Sequence, residues 1–223
     1  MVVAGGIVRN RAWAIPRHAE AVRLSGLEAQ APMRLYYVTG DNDDLTVDEL
    51  VRACTTWDMV STGHPGFERD HGPTRYDSAN MAMLRNIWAR NAFLRFDNLT
   101  HLWVVDSDVV PDRDCLKKML ELDAPVVGAI VPGCSPAMGF RHGQACRTGK
   151  EREQTEPYEA TMLGGCYLIQ RQAWLQGLRW AAHPQGEDGG FGDSARALGI
   201  KMIAHPGATC AHMMERPVQT QGL

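Results

Sequence analysis

Short apolar runs alternate with polar stretches of helical period along almost the whole chain. Val2 to Val8 is apolar and rich in β-branched residues, which predicts a first strand. A helix is expected to open at or just after Asn10 and to reach about Leu24, with Pro16 early, where a missing N–H costs least. Arg34 to Thr39 reads as a second strand and Gly40 to Asp44 as a turn. Thr46 to Cys54 reads as a helix with Thr46 as its cap and Glu49 at the reciprocal position. Trp57 to Ser61 is a short third strand, and Gly63 to Pro73 a loop rich in Gly, Pro and His. Ser78 is predicted to cap a helix bearing Met81, Leu84, Ile87, Trp88, Asn91 and Leu94 at helical spacing. Four more strands follow, Leu102 to Val105, Pro125 to Val131, Met162 to Ile169 and Ile200 to Ala204. Three more helices run from Asp114 to Leu122, from Arg171 to Leu178 and from Phe191 to Leu198, the last ended by Gly199. Between them Gly133 to Glu156 is polar and charged and reads as a long, mobile segment of functional interest. This alternation predicts an α/β domain with a mainly parallel central sheet flanked by helices.

Composition adds few constraints. The chain has 223 residues, 44% hydrophobic and 22% charged, with a formal net charge of −3. That is enough chain for one substantial core, and it supplies no global positive field for nucleic acid. No apolar run is long enough to cross a bilayer, and Met1 to Ile7 lacks the basic lead of a signal peptide, so a cytoplasmic location is expected. The six cysteines, Cys54, Cys115, Cys134, Cys146, Cys166 and Cys210, contain no Cys-x-x-Cys pair and are read as free thiols. Cys134 and Cys146 with a histidine fit no usual zinc spacing, and Cys166 reads as inert. Trp88, Trp103, Trp174 and Trp180 are assigned to the core, and Trp13 is the tryptophan nearest a ligand-binding loop.

The chemistry concentrates at Asp106-Ser107-Asp108, where an apolar strand stops at two aspartates. Ligands of open α/β sheets bind beyond the carboxyl ends of strands. Two carboxylates placed there repel unless a cation joins them, and oxygen ligands suit Mg²⁺ or Mn²⁺ with a phosphorylated ligand completing the shell. No dinucleotide fingerprint and no P-loop follows the first strand.

Three further features succeed the aspartates in order: Gly164-Gly165-Cys166-Tyr167-Leu168-Ile169-Gln170-Arg171, Gly186-Glu187-Asp188-Gly189-Gly190-Phe191, and His212. Together they resemble the GT-A glycosyltransferases, in particular the inverting members that use an Asp-x-Asp metal site. The resemblance covers Val2 to about His212. It implies a single Rossmann-like GT-A domain over residues 1–216, with a flexible tail at 217–223. It implies Asp106, Asp108 and His212 as ligands of Mn²⁺ or Mg²⁺, with Asp106 also near the ribose. Asp188 would be the general base, with Glu187 beside it binding acceptor or raising the Asp188 pKa by like-charge repulsion. Val8, Arg9, Asn10 and Arg11 after the first strand, Asp41 after the second, and Arg85 and Asn86 on the helix before the metal strand would meet the nucleotide-sugar, as would Ser107. Gly164 and Gly165 would let sugar or acceptor approach the backbone. Asp43 competes with Asp41 for the base contact, and His205 competes with His212 for the metal.

The activity implied is transfer of a sugar from a nucleotide-diphosphate donor, a uridine diphosphate sugar first, to an acceptor hydroxyl, with inversion. Alternatives from other classes are a nucleotidyltransferase and a non-catalytic sugar- or nucleotide-binding module. A soluble acceptor is expected, either a saccharide, a small molecule or a hydroxylated base of DNA. The last option rests on Arg141, His142, Arg147, Lys150 and Arg152, whose charge is offset by Glu151 and Glu153.

Overall fold

The computed structural model describes residues 1–40, 42–55, 58–62, 77–133 and 136–213. Asp41, Trp57, the 63–73 loop, Cys134 and the 217–223 tail therefore lie outside the described residues. The strands are β1 (Val2–Val8), β2 (Met33–Thr39), β3 (Met59–Ser61), β4 (His101–Val105), β5 (Val109–Pro111), β6 (Val126–Ile130), β7 (Gly139–Arg141), β8 (Gln144–Cys146), β9 (Tyr158–Ala160), β10 (Cys166–Gln170) and β11 (Met202–His212). The helices are α1 (Ile15–Glu28), α2 (Thr46–Ala53), α3 (Ser78–Arg95), α4 (Cys115–Glu121), α5 (Arg171–Leu175) and α6 (Glu187–Ala197).

The main sheet has the order β3-β2-β1-β4-β10-β6-β11-β5, with β9 also paired to β11. The first four strands are mutually parallel. β10 enters antiparallel to both β4 and β6, and β11 runs parallel to β6. Only β5, β9 and β10 oppose the common direction, so the expected mainly parallel sheet is present. Strands buried on both faces alternate their side chains between two cores. In β4, Leu102 and Val104 join Trp88, Trp174, Trp180 and Phe191 under α3, α5 and α6. Trp103 and Val105 join Ile15, Leu50 and Leu116 under α1, α2 and α4. No described helix is long and apolar enough to cross a membrane.

Several boundaries differ from the sequence expectation, each for a local reason. Ser78 is the first residue of α3, and Asp77 is its cap, accepting from the Ala79 and Asn80 N–H groups. Thr46 likewise lies inside α2, and Asp44 accepts its N–H. The strand expected from Met162 begins only at Cys166, because Gly165 takes a left-handed φ of 75°. The strand expected to stop at Ala204 runs on to His212, with an irregularity in its pairing with β6 between Ala204 and Thr209. The 133–156 segment carries its own small hairpin, β7 with β8, and a 3₁₀ turn at Lys150–Glu153. Glu151 fastens it by accepting N–H bonds from Met138 and Thr148. Those bonds outweigh partial desolvation and hold its carboxyl down at about 2.

Candidate active site

β1 and β4 run parallel and end side by side, and their carboxyl ends open onto two loops. The loop after β1 is tied to the loop after β2. Asn10 N–H reaches Asn42 Oδ1 (2.9 Å), Asp43 N–H reaches Asn10 Oδ1 (2.8 Å), Arg11 N–H reaches Thr46 Oγ1 (2.7 Å), and Ala12 N–H reaches Asp44 Oδ2 (3.2 Å). Asn10 adopts a left-handed φ of 50°, a conformation that Asn tolerates better than most residues. Val8 is buried in the core, and Arg9 and Asn10 are partly exposed at the rim.

After β4 the chain turns sharply. Asp106 N–H donates to the Gly165 carbonyl (2.8 Å), and Val109 N–H donates to the Asp106 carbonyl (2.8 Å). The left-handed φ at Gly165 is what lets that carbonyl sit there without a Cβ penalty. Ser107 is buried in the turn. The far end of β11 closes the other side, where Met213 N–H donates to the Asp108 carbonyl (2.8 Å) and so brings His212 next to Asp108.

One group of site residues is closely bonded, in two sets that adjoin where Glu187 and Asp188 follow one another on α6. Arg85 on α3 is almost wholly buried and donates from Nε to Glu187 Oε1 and from Nη2 to Asp106 Oδ1, both at 2.8 Å. The opposed carboxylates hold its guanidinium firmly protonated against the cost of burial. Glu187 and Asp188 open α6, where carboxylates meet the positive end of the helix. Burial and the adjacent Asp188 push Glu187 up to about 8 despite the guanidinium beside it. Burial raises Asp188 to about 6; the Asp106 carboxylate adds to the rise, while Arg85 and the Tyr167 hydroxyl oppose it. Asp106 is thus a like-charge neighbour of Asp188 in addition to the adjacent Glu187. Tyr167 on β10 donates to Asp188 Oδ1 (2.9 Å) and accepts from Trp180 Nε1 (2.8 Å). α6 can lie this close because of its glycines. A Cβ on Gly190 would stand 2.1 Å from the Ala181 carbonyl, and one on Gly192 would stand 2.3 Å from that of Thr161.

The second group is looser. Asp108 Oδ2 lies 3.4 Å from Arg11 Nη2, and Asp108 Oδ1 lies 3.8 Å from His212 Nε2. His212 Nδ1 is 3.1 Å from the Pro132 carbonyl, which can only accept, so Nδ1 carries the proton of that bond. In the neutral ring Nε2 then presents a lone pair towards a carboxylate oxygen. An imidazole fixed by a carbonyl on its other nitrogen, facing a carboxylate, is a donor set suited to a divalent cation such as Mn²⁺. Asp108 and His212 fit such an ion on this observation. Asp106 is instead bound to Arg85, and the three candidate ligands do not converge: the only His, Cys, Asp or Glu trio within 4.8 Å among the described residues lies elsewhere.

The structure also shows where the remaining predicted residues sit. Arg85 faces carboxylates. Asn86 brackets the Trp180 backbone, donating to its carbonyl (2.8 Å) and accepting its N–H (3.1 Å). Gly164 accepts the Cys166 N–H at 2.9 Å. His205, the rival of His212, folds onto its own turn and accepts the Gly207 N–H. The sequence missed Tyr167 and Trp180, which read as strand and core. The available signal was parity: Tyr167 shares a strand face with Ile169, so its hydroxyl needs a buried partner on the α6 side.

No protein-family model matches the sequence, and no curated protein is similar to it in sequence. Solved structures do resemble the fold. Over 97% of its length the chain superposes on a mannosyltransferase, PcManGT from Pyrobaculum calidifontis in complex with GDP-Man and Mn²⁺, with a TM-score of 0.64 and 14% identity. TarS from S. aureus matches 96% of the chain with a TM-score of 0.60 and 11% identity. Glucosyl-3-phosphoglycerate synthase from Mycobacterium tuberculosis, in complex with Mg²⁺ and uridine diphosphate, matches 97% with a TM-score of 0.56 and 16% identity. The chain spans 58% of the mannosyltransferase, 36% of TarS and 72% of the synthase. Strand order, the placement of both acidic groups at one end of the sheet, and these superpositions agree: the chain has the GT-A glycosyltransferase fold.

Proposed function

We propose that this protein is a metal-dependent glycosyltransferase that moves a sugar from a nucleotide-diphosphate donor, a uridine diphosphate sugar first, to an acceptor hydroxyl with inversion. One observation carries the reading: a partly buried carboxylate raised to about 6, Asp188, follows Glu187 on α6, Glu187 is bonded to Arg85 and Arg85 to Asp106, and Asp106 shares its strand end with Asp108, which His212 of β11 faces. The neighbours' own ligands, GDP-Man with Mn²⁺ and uridine diphosphate with Mg²⁺, support it.

Asp108 and His212 would hold the cation, with Asp106 beside the donor ribose. When bound, Mn²⁺ or Mg²⁺ supplies positive charge to the diphosphate leaving group. Arg11, at the mouth of the site, offers a forked cation to phosphate oxygen. Tyr167 ties down Asp188 Oδ1, which leaves Oδ2 to take the acceptor's hydroxyl proton as that oxygen attacks the anomeric carbon. The bond from that carbon to the diphosphate oxygen breaks, and nucleoside diphosphate departs. A base poised near 6 is ionised at neutral pH yet still basic enough to accept a proton.

The test is nucleoside diphosphate release from a panel of UDP- and GDP-sugars with Mn²⁺ and pooled hydroxyl acceptors. Asp188→Asn is expected to lower turnover by roughly 10²–10⁴ while donor binding persists. Asp108→Ala is expected to abolish the Mn²⁺ requirement together with most of the activity. Equal turnover by wild type and both variants would overturn the proposal. Pyrophosphate as product would favour nucleotidyl transfer.

A further inference from the structure

Three cysteines far apart in sequence meet inside the sheet–helix layer that faces away from Asp188. Cys115 opens α4, Cys166 opens β10, and Cys210 lies near the end of β11. Cys115 and Cys166 are fully buried, and Cys210 is 6% exposed. The three sulfurs all lie within 4.8 Å of one another, with Cys115 Sγ and Cys210 Sγ 3.9 Å apart. The Trp103 indole N–H donates to Cys166 Sγ at 3.3 Å. The trio belongs to the same buried core cluster as Val109, Leu116, Met119 and Ala208. All five described cysteines are free, and Cys54 and Cys146 do not join the trio.

We propose that Cys115, Cys166 and Cys210 form a three-coordinate, all-sulfur site for a soft thiophilic metal ion, Cu(I) being the ion whose chemistry it suits. Metal–thiolate bonds of about 2.3 Å in a trigonal plane put the sulfurs about 4.0 Å apart, so the longest separation needs to close by less than about one ångström. Structural zinc asks for four ligands, and no His, Asp or Glu completes this set among the described residues. Thiolates select Cu(I) among the common soft ions. Ionised thiolates in an apolar core are costly unless a cation and donors compensate them. The ion supplies the charge, and Trp103 supplies a hydrogen bond to one sulfur. A disulfide is a poorer solution, because pairing any two of the three leaves the third thiol alone and requires the bonded pair to close to about 2.05 Å.

Binding would brace three elements at the back of the candidate active site. Cys166 follows Gly165, whose carbonyl holds Asp106, and Cys210 stands two residues before His212 on the same strand. The proposal does not rest on glycosyl transfer, and metal uptake can be read without any donor.

The experiment uses the full chain, reduced and anaerobic, with Cu(I) supplied from a chromophoric chelator. One equivalent is expected to stay with the folded protein after desalting, and X-ray absorption should show a shell of three sulfurs without nitrogen or oxygen. At a hundredfold excess over Kd the melting temperature should rise by roughly 5–10 °C. Cys115→Ala and Cys210→Ala should lose retention, while Cys54→Ala and Cys146→Ala should keep it. Failure of folded wild type to retain Cu(I), a shell containing nitrogen or oxygen, or undiminished retention by folded Cys115→Ala or Cys210→Ala would each overturn the proposal. So would Zn²⁺ held in preference to Cu(I), or a Cys115–Cys210 disulfide with no uptake after reduction. Should the alanine variants not fold, the wild-type stoichiometry and absorption spectrum decide alone.

Discussion

Around Asp188, two adjoining sets of side chains, Arg85 with Glu187 and Asp106, and Tyr167 with Asp188 and Trp180, are held by bonds of 2.8 to 2.9 Å, and Arg85 and Glu187 are almost wholly buried. Around Asp108 the contacts stretch to 3.4 and 3.8 Å, and the partners Arg11 and Asp108 are 36% and 22% exposed. Folding alone makes the bonds of the first group; Glu187 Oε2 is buried without a partner, and burial keeps that carboxyl mostly protonated at neutral pH. The second group is left with a carboxylate facing an imidazole lone pair and a guanidinium held at the rim. That difference separates a part of the site that contributes to stability from a part that gains its order from ligands.

The largest effect is expected at Arg85. Arg85→Met leaves Asp106 without its cation and removes the group that bonds Glu187 inside the protein. Breaking one partner of a buried ion pair costs about 3–5 kcal/mol, which at this chain length lowers the melting temperature by roughly 6–20 °C. Adding Glu187→Gln should recover little, because burial already keeps that carboxyl mostly protonated at neutral pH and its value of about 8 rises further once the guanidinium is gone. Calorimetry on the two variants checks this. A loss below about 1 kcal/mol in the single variant would show that the network is not finished by folding.

A change of pH separates stability from chemistry. Glu187 and Asp188 have folded-state values of about 8 and about 6, above their ordinary 4.5 and 3.8. Between about pH 4 and pH 8 the folded protein therefore binds more protons at these two groups than the unfolded chain. Their contribution to stability is full at the acid end of that window and falls, by on the order of a few kcal/mol, as pH rises through about 6 and then about 8. The pair titrates jointly, so the two steps belong to the pair. Activity should run the other way and rise through about pH 6 as Asp188 loses its proton. Melting curves and donor turnover from pH 5 to 8 should thus slope in opposite directions. Parallel slopes would mean that Asp188 is not the base.

These two groups also mark how far the sequence could be read. The GT-A architecture came from the resemblance carried by the ordered motifs; the mainly parallel α/β order and the stop of β4 before the aspartates follow from apolar runs and turn residues, because buried strands and tight turns constrain composition locally. Asp106, Asp108 and Glu187-Asp188 were visible as residues for the same reason. The partners were not. Arg85 meets Glu187 across 102 positions, and Tyr167 meets Asp188 across a face of the sheet that no spacing rule reports. The thiol trio joins residues 115, 166 and 210, and its members were read as scattered free thiols, Cys166 as an inert one. The hairpin inside 133–156 was hidden by its charge, since its main anchor is a carboxylate accepting backbone N–H groups.

Tyr167→Phe should act more gently. It leaves the Trp180 indole N–H buried without its acceptor, at about 1–3 kcal/mol of stability. It also removes a hydrogen bond to the charged form of Asp188, so the acid limb of activity should move to higher pH. Trp180→Phe breaks only the outer bond and should leave that limb in place. If both variants shift it equally, the hydroxyl acts through packing and not through its bond to Asp188.

The smallest effect is expected at Arg11, and it tests the open group directly. Its guanidinium sits on Asp108 where a cation is expected, so in the absence of nucleotide the two compete for one carboxylate. An exposed pair of this kind contributes only about 0.2–1 kcal/mol. Arg11→Leu should therefore tighten binding of Mn²⁺ alone by no more than roughly fivefold, and high salt should erase the gain because it screens the same pair. Donor affinity should fall in the same variant, because the diphosphate loses a forked cation. Titration of Mn²⁺ with and without nucleoside diphosphate reads both signs. Weaker Mn²⁺ binding in the variant would mean that Arg11 orients Asp108 for the metal rather than occupying its place, and the open group would then be as preorganised as the closed one.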